Sequence, residues 1–366
     1  MRTTVELHPG DSTSRSSMTQ LFDKAAVFTD IHFGDKNDSE RHNRDCLNFV
    51  KWFCQCVREE HCDAVIFMGD WFDNRSRLRV DTITYSWQAI ELLDSLGIPV
   101  YWLIGNHDLF FRNNRNVTSL PYLGSNKNIF LINELVEIND VLFAPWLTGS
   151  EFAEVPSYEV KYVFGHFELP LFLLNQNVPM PDKGGLHADH FTTCDAVFSG
   201  HFHKRQLKVN EHGIPVWYPG NAFPLNFNDV NDTDRGCMIL EWGHDPVFVN
   251  WPDAPSYLRM NLSELMEVID ELEPSEAVIE IKDDVGLEIE EAVELKELLD
   301  DKFRLIHLKP MNKELDVSEE VDISEDAKSV DEMVIERLRS IDTEGSDYDS
   351  ELLVELYESV DPDKGT

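Results

Sequence analysis

Five short segments carry side chains that bind metal ions or move protons. In chain order they are Asp30-Ile31-His32, Gly69-Asp70-Trp71-Phe72-Asp73, Gly105-Asn106-His107-Asp108, Gly165-His166 and Gly200-His201-Phe202-His203. Their donors are carboxylates, imidazoles and one amide. Such oxygen and nitrogen donors suit Mn²⁺, Fe²⁺ or Zn²⁺ and require no soft thiolate. Each segment follows a short apolar run, and side chains placed just past strand ends emerge together at one sheet edge, where open α/β folds collect ligands. The glycines at 69, 105, 165 and 200 let the backbone pass close to such a site. A single Asp-x-His or Gly-His carries little weight. Five such segments in fixed order carry a great deal. His8, His42, His61, His187, His190, His212, His244 and His307 lack this context and read as surface or structural groups.

The elements that must position these residues alternate. Runs 27–29, 64–68 and 100–104 are short, β-rich and stopped by Gly or Asp turns. Segments 41–60 and 81–96 between them show helical spacing, with Leu47, Val50, Phe53, Cys54 and Val57 in the first and Ile83, Trp87, Ile90 and Leu93 in the second. That alternation predicts a layered α/β domain with a partly parallel sheet. Segments 128–145 and 195–242 are strand-rich and predict a second sheet facing the first. The two prolines in WPDAPSYLRM (251–260) mark a domain exit. A strand over 277–282, an amphipathic helix over 288–299 and a strand over 304–308 predict a small cap. Residues 311–328 read as an acidic linker. Two short helices, 330–341 and 350–360, present apolar faces suited to docking a partner, with packing back on the same chain as the alternative. The expected division is a flexible tail at 1–22, a catalytic domain at 23–258, the cap at 259–310, the linker at 311–328 and C-terminal helices at 329–366.

Composition narrows the function. The 366 residues include 42% hydrophobic side chains, enough for a large core. No apolar stretch reaches the roughly 18 residues of a membrane span, and the polar first twenty residues lack a secretory h-region. Met18 is an alternative start to Met1. With 31 Lys and Arg against 69 Asp and Glu, the net charge is −38. That excludes holding nucleic acid by bulk positive charge. About 35 of the acidic and about 10 of the basic residues fall within 260–366, so the excess is concentrated in the last third. The six cysteines form no C-x-x-C pair and no zinc-finger spacing, which points to reduced thiols in the cytoplasm.

The ordered set D-x-H, G-D-x-x-D, G-N-H-D, G-H and G-H-x-H resembles the calcineurin-like metallophosphoesterase superfamily. Within it the chain is similar to SbcD-type nuclease subunits, counterparts of the nuclease in the MRN repair complex, and above all to the recombination nuclease subunits of T-even-like phages. Trp146 after Ala144-Pro145, the run His166-Phe167-Glu168-Leu169, and SGHFHK followed by WYPGNAFPL and NDTDRG carry that narrower likeness. The motifs cover about residues 25–240.

The resemblance implies an α/β sandwich of two facing mixed β-sheets flanked by helices, with a small α/β cap and C-terminal helices. It implies two divalent ions, with Mn²⁺ preferred over Fe²⁺ or Zn²⁺. One would be held by Asp30, His32, Asp70 and His203, the other by Asp70, Asn106, His166 and His201, with Asp70 bridging. Two such ions roughly 3.5–4 Å apart can address both the attacking water and the scissile phosphate. His107 would sit over the phosphate, and Asp73 would orient it and raise its pKa. Archaeal and eukaryotic members place a second His where Asp73 stands, so Asp73 does not by itself identify a nuclease. Arg75, Arg77, Arg79, Arg112, Arg115, Lys204 and Arg205 flank the motifs and are candidates for tracking a phosphate backbone. The implied function is a metal-dependent DNA nuclease at DNA ends, a duplex exonuclease and single-strand endonuclease. It would form a homodimer through the helices at 41–60 and 81–96 and dock an SbcC-like, SMC-type ATPase through 329–366. Its place would be the cytoplasm, that of the bacterial host if phage-encoded. The alternative is a small-substrate phosphodiesterase of the same superfamily. Protein phosphatases fit poorly, because Asn74 and Arg75 follow Asp73 and Asp108 replaces their Glu. A degenerate scaffold fits poorly too, because all seven ligand positions hold competent donors.

Overall fold

Continuous apolar runs, rather than alternating ones, mark strands that are covered on both faces. The central strands here are of that kind. The computed structural model describes residues 20–309, apart from 121, 122, 124, 175–177 and 270–273. Most of the expected tail, the linker 311–328 and the helices expected over 329–366 lie outside the described residues. Twelve strands build the main body: β1 (Lys24–Phe28), β2 (Ala64–Phe67), β3 (Val100–Leu103), β4 (Ile129–Ile132), β5 (Val136–Ile138), β6 (Val141–Ala144), β7 (Tyr162–His166), β8 (Ala196–Gly200), β9 (Gln206–Val209), β10 (Pro215–Tyr218), β11 (Gly236–Glu241) and β12 (Val247–Asn250), counted among the described residues. They form two six-stranded mixed sheets, ordered β12-β11-β1-β2-β3-β4 and β5-β6-β7-β8-β10-β9. β1 to β4 run parallel, with β4 at one edge, as do β6, β7, β8 and β10, while antiparallel pairs close the other three edges.

Val27, Ile66, Met68 and Leu103 of the first sheet meet Phe143, Tyr162, Phe164 and Phe198 of the second, which forms the inner core. The outer face of the first sheet, with Phe28, Phe67 and Trp102, is covered by helices α1 (Glu40–Glu59) and α2 (Val80–Asp94). Each buried aromatic of this kind is worth about 1.5–3 kcal/mol. Ser39 caps α1 by accepting from the His42 amide. The buried face of α1 includes the five residues expected from its spacing.

α2 differs. Ile90 and Leu93 are buried, but Ile83 and Trp87 are 43% and 39% exposed. The helix instead turns Thr82 and Ser86 inward. Thr82 Oγ1 donates to Asp38 Oδ1 and accepts from Asn43 Nδ2, both at 2.9 Å, and Trp71 Nε1 donates to Ser86 Oγ at 2.8 Å. These bonds to the two motif loops set the rotation of the helix, and apolar spacing alone does not reveal them. The tail also ends earlier than expected, because Phe22 is buried between Tyr162 and Trp242 and belongs to the inner core.

The cap contains one more strand than the sequence suggested. β13 (Ser256–Asn261) straddles the expected boundary at 258/259 and pairs parallel with β14 (Ser275–Lys282), which pairs parallel with β15 (Phe303–Lys309). Helices α3 (Leu262–Val268) and α4 (Ile289–Leu299) cover this sheet through Leu262, Leu265, Leu295 and Leu299. The prolines thus precede the first cap strand rather than separating two folds, and the cap belongs to the same compact unit as the sandwich.

His42 props the first motif loop: its Nε2 donates to the His32 carbonyl at 2.8 Å. Burial, foremost, pushes this imidazole down to about 4. The unfolded chain charges His42 near pH 6.5, whereas the folded chain does not until about pH 4. Its contribution to stability is therefore full above pH 6.5 and is lost as the pH falls through that window, by on the order of 2–3 kcal/mol. His42→Gln keeps a donor for the carbonyl but does not titrate. In urea unfolding the wild type leads at pH 7.5 and the gap closes or reverses by pH 4.5. A gap independent of pH would refute this account.

Candidate metal centre

The pairing of β1 with β2 does not stop at the strand ends. The amides of Asp30, Ile31, His32 and Phe33 donate to the carbonyls of Gly69, Asp70, Asp70 and Trp71 at 2.7–3.2 Å. The first two motif loops are thereby zipped side by side. Four of the seven candidate ligands then sit in left-handed backbone, with φ of 52° at Asp30, 54° at His32, 61° at Asp70 and 92° at His201. Each such non-glycine residue costs about 1–3 kcal/mol and persists only where its surroundings fix it. Gly105 is one of those surroundings, since a Cβ there would lie 2.2 Å from Asp70 Oδ1.

Asp108, the last residue of the third motif, is fully buried and gathers the loops. Its Oδ2 accepts from the amides of Gly105 at 2.9 Å and Asp70 at 3.0 Å, and its Oδ1 from Trp71 at 3.0 Å and Phe72 at 3.3 Å. Burial and then the charge of Asp70 push its carboxyl up to about 7, against the pull of these amides. The sequence displayed Asp108 in its motif but gave it no role. Its signal is position: it directly follows the His of the third strand-end turn.

The candidate ligands converge. Asp30, His32 and His203 offer donor atoms within 4.8 Å of one another, as do Asp70, His166 and His201. Asp70 lies between the two sets, its Oδ2 3.3 Å from His166 Nε2 and 4.0 Å from His32 Nε2. Asn106 Oδ1 stands 3.0 Å from His166 Nε2 and 2.9 Å from His201 Nδ1. Asp30 is held by Thr29 Oγ1 at 2.5 Å and by the His201 amide. His166 Nδ1 donates to the Met68 carbonyl at 2.7 Å, which aims Nε2 at the cluster.

Electrostatics separate these imidazoles. Burial holds His32 well below the ordinary histidine value and lowers His201. Burial pulls His166 down as well, but the charge and hydrogen bond of Asp70 outweigh it and push the group up to about 9. Burial acts on Asp70 in the raising direction, but the facing imidazoles of His166, His107 and His32 hold it well below the carboxylate range. His32 is 3% exposed and neither of its ring nitrogens has a hydrogen-bond partner. Buried nitrogens without hydrogen-bond partners, 3.7–4.0 Å from the carboxylates of Asp30, Asp70 and Asp73, are a donor set that divalent cations take.

His107 reaches the same space from the side, its ring 5.0 Å from that of His32. Its Nδ1 donates to the backbone carbonyl of Asp73 at 2.6 Å, while the Asp73 carboxylate is 4.0 Å from it and 3.7 Å from His32 Nδ1. The orienting group is thus the Asp73 carbonyl, and the carboxylate lies between two imidazoles. Trp146 lies against His201 with ring centroids 5.4 Å apart and the planes tilted by 47°, and its indole donates to the Arg112 carbonyl. Glu168 approaches His201 Nε2 at 3.8 Å. Both residues appeared in the sequence only as marks of likeness.

The flanking cations divide. Arg112 is exposed and lies over the Trp146 ring, Lys204 lines a small cavity beside His203, and Arg77 is exposed near Asp38. Arg75 is partly buried, and Arg79 pairs with Asp81. Arg115 is turned inward to Glu151 and the Trp146 carbonyl, and Arg205 is packed on Phe248 with bonds to Pro219 and Asn250. Arg115 and Arg205 are thereby engaged in holding loops, which removes them from the set presented to a phosphate backbone.

Residues 24–205 match the family model of calcineurin-like phosphoesterases. Exonuclease subunit 1 of Enterobacteria phage T4 is 26% identical over 221 residues, covering 58% of this chain and 62% of that protein. A protein of Invertebrate iridescent virus 3 with a phosphoesterase designation is 26% identical over 243 residues, covering 61% of this chain and 66% of that one. The chain therefore spans less than two thirds of the length of these relatives. Among solved structures, a dimetal phosphatase from Danio rerio aligns with a TM-score of 0.42 and 12% identity, over 62% of this chain and 95% of its own. The nuclease MPE of Pseudomonas putida aligns with a TM-score of 0.32 and 14% identity, over 59% and 82%.

Asp108→Asn tests the support of the cluster. The amide replaces an acceptor by a donor facing backbone N–H groups. Supporting residues of this kind typically cost 10–100-fold in metal affinity. We expect the variant to bind Mn²⁺ at least tenfold more weakly by titration calorimetry, with native circular dichroism. Unchanged affinity would show that Asp108 does not position the site.

Proposed function

Residues 24–205 are a calcineurin-like metallophosphoesterase domain, and from that premise we propose that the chain is a metal-dependent nuclease hydrolysing phosphodiester bonds at DNA ends. The observation that carries this reading is the convergence of seven metal-competent donors, from strand ends of both sheets, with His107 beside them. The relation to an exonuclease subunit supports DNA as the substrate. One ion would be held by Asp30, His32, Asp70 and His203, the other by Asp70, Asn106, His166 and His201, with Mn²⁺ the preferred metal. When bound, the pair supplies charge neutralisation of the phosphate and activation of water.

The chain's own groups do the rest. Asp108 and the paired loops fix Asp70 before any substrate arrives. His107 is fixed through Nδ1 by the Asp73 carbonyl, so its Nε2 is the atom available to a phosphate oxygen or a leaving oxygen. The site-facing cations Arg112 and Lys204 would contact neighbouring phosphates, with Arg77 and Arg75 farther along the second motif loop. A homodimer would form through α1 and α2, where the partly exposed Ile83 and Trp87 supply apolar surface. Residues 329–366 would dock an SbcC-like ATPase.

Two experiments decide. End-labelled duplex and single-stranded DNA are digested with Mn²⁺, with and without the ATPase, beside a small chromogenic phosphodiester. Degraded DNA is expected. Intact DNA with a cleaved ester would make this a small-substrate phosphodiesterase instead. His107→Ala is expected to lose about 10²–10⁴-fold in rate while binding two Mn²⁺ ions per chain as the wild type does. A variant with full activity would remove His107 from the chemistry.

A further inference from the structure

Between the cap and the sandwich lies a cavity of about 330 Å³, on the side of α1 where its capping residue Ser39 sits. It shares no lining residue with the metal cluster. Its composition is unusual for a chain of net charge −38. Lys36, Arg41 and Arg304 line it against a single carboxylate, Asp45. Asp45 is paired with Arg304 at 2.5 Å. Among the described residues Lys36 and Arg41 form no ion pair with any carboxylate. Lys36 Nζ donates to Tyr257 Oη at 2.5 Å, and Arg41 donates to the Arg304 carbonyl at 2.8 Å. Lys36 and Arg41 are exposed as residues, and the Lys36–Tyr257 bond is partly buried. Asp35 and Asp45 lie close enough to act on Lys36, but neither Lys36 nor Arg41 is ion-paired, so both can take an anion.

The lining is also aromatic, and Lys36 Nζ lies 5.2 Å from the Tyr257 ring centroid. Phe227 meets Tyr257 at 5.2 Å and His307 at 5.5 Å, both edge to face, and Tyr257 is fixed by donating to the Leu225 carbonyl at 2.7 Å. The backbone that delivers Lys36 is held in a rare shape. Lys36, Asn37 and Asp38 follow one another with φ of 56°, 59° and 59°. The loop is tied down at both ends, by the Gly34 amide on Asn43 Oδ1 at 2.8 Å and by Asp38 on Thr82. Three successive left-handed non-glycine residues are kept only where the surroundings over-determine them, which is common at ligand sites.

Cations and aromatic rings in one space, with a volume at the lower end of small-molecule pockets, which run from about 300 Å³, define one ligand chemistry. We infer that this cavity is a second binding site that takes a nucleoside monophosphate, its phosphate on Lys36 and Arg41 and its base against Phe227. The choice of a nucleotide over other aromatic anions rests on the nuclease reading, and the cations and rings stand without it. The nucleotide comes either free, as the product of stepwise hydrolysis, or as the terminal unit of a DNA strand.

The test is direct binding by the full chain in EDTA, which keeps divalent ions from recruiting phosphate to the cluster. The probe is 5′-deoxyadenosine monophosphate in titration calorimetry. Saturable one-to-one binding is expected, weakened at least tenfold in K36Q/R41Q. Phe227→Leu is expected to weaken the nucleotide severalfold and leave inorganic phosphate unchanged. Competition by a 5′-phosphorylated oligonucleotide identifies the strand terminus as the source, and its failure to compete identifies the free product. The exposed single variant R41Q, checked by thermal melting, keeps the result readable if the double variant unfolds. No saturable binding, equal affinity in K36Q/R41Q, or inorganic phosphate bound as tightly as the nucleotide would each overturn the inference. Nuclease activity is measured separately in Mn²⁺, so active digestion without nucleotide binding sinks only this site, and binding without digestion sinks only the nuclease reading.

Discussion

Three carboxylates, those of Asp30, Asp70 and Asp108, are buried together at one edge of a β-sandwich, and everything around them answers to that crowding. Buried like charges repel, and each charge removed from water carries a large desolvation cost. Two remedies are visible. Asp108 collects four backbone amides, and Asp30 takes the His201 amide and the Thr29 hydroxyl. Asp70 faces the imidazoles of His166, His32 and His107 and has the His107 amide on Oδ1. The carboxylate nearest the imidazoles is the one kept ionised, and the one served only by amides is pushed towards neutrality. That division favours Asp70 over Asp108 as the carboxylate shared between cations.

The same crowding explains the backbone. Donors from five separated segments fit around one point only if the chain turns abruptly after its strands, and four of the donors occupy left-handed conformations as a result. The strain is tolerable because the loops continue the β1–β2 ladder and because Thr82, Ser86 and His42 on the covering helices bond to those loops. The exposed positions of Ile83 and Trp87 follow from the same choice. α2 presents its small polar residues to the site and leaves two large apolar ones at the surface. Support of the motif loops and the exposure of these two side chains are thus two sides of one helix rotation.

Much of this was legible in the residues. The order of the motifs, their glycines and the apolar runs before them place the donors at strand ends, although those strands belong to two sheets and not one, and the strand–helix alternation gives the first layer. The rest depends on contacts that spacing does not encode. The Asp73 carbonyl, rather than its carboxylate, orients His107, and a main-chain acceptor leaves no mark on a sequence. Arg115 and Arg205 look like any other loop cations until Glu151, Trp146 and Phe248 are seen beside them. β13 hides behind two prolines that read as an exit. Phe22 follows a polar stretch and was counted with it, although its ring closes the inner core.

Charge distribution links the site to its surroundings. A chain at −38 repels a polyanion at long range, but the Debye length at physiological salt is about 8 Å, so what matters is the charge within a few residues of the contact. At that range the balance changes sign. Lys36, Arg41 and Arg304 outnumber Asp45 in the cavity between cap and sandwich, and Arg112 and Lys204 stand next to the cluster. The acidic excess instead belongs to 260–366. An anion reaching that cavity would meet more cations than carboxylates among the side chains that line it.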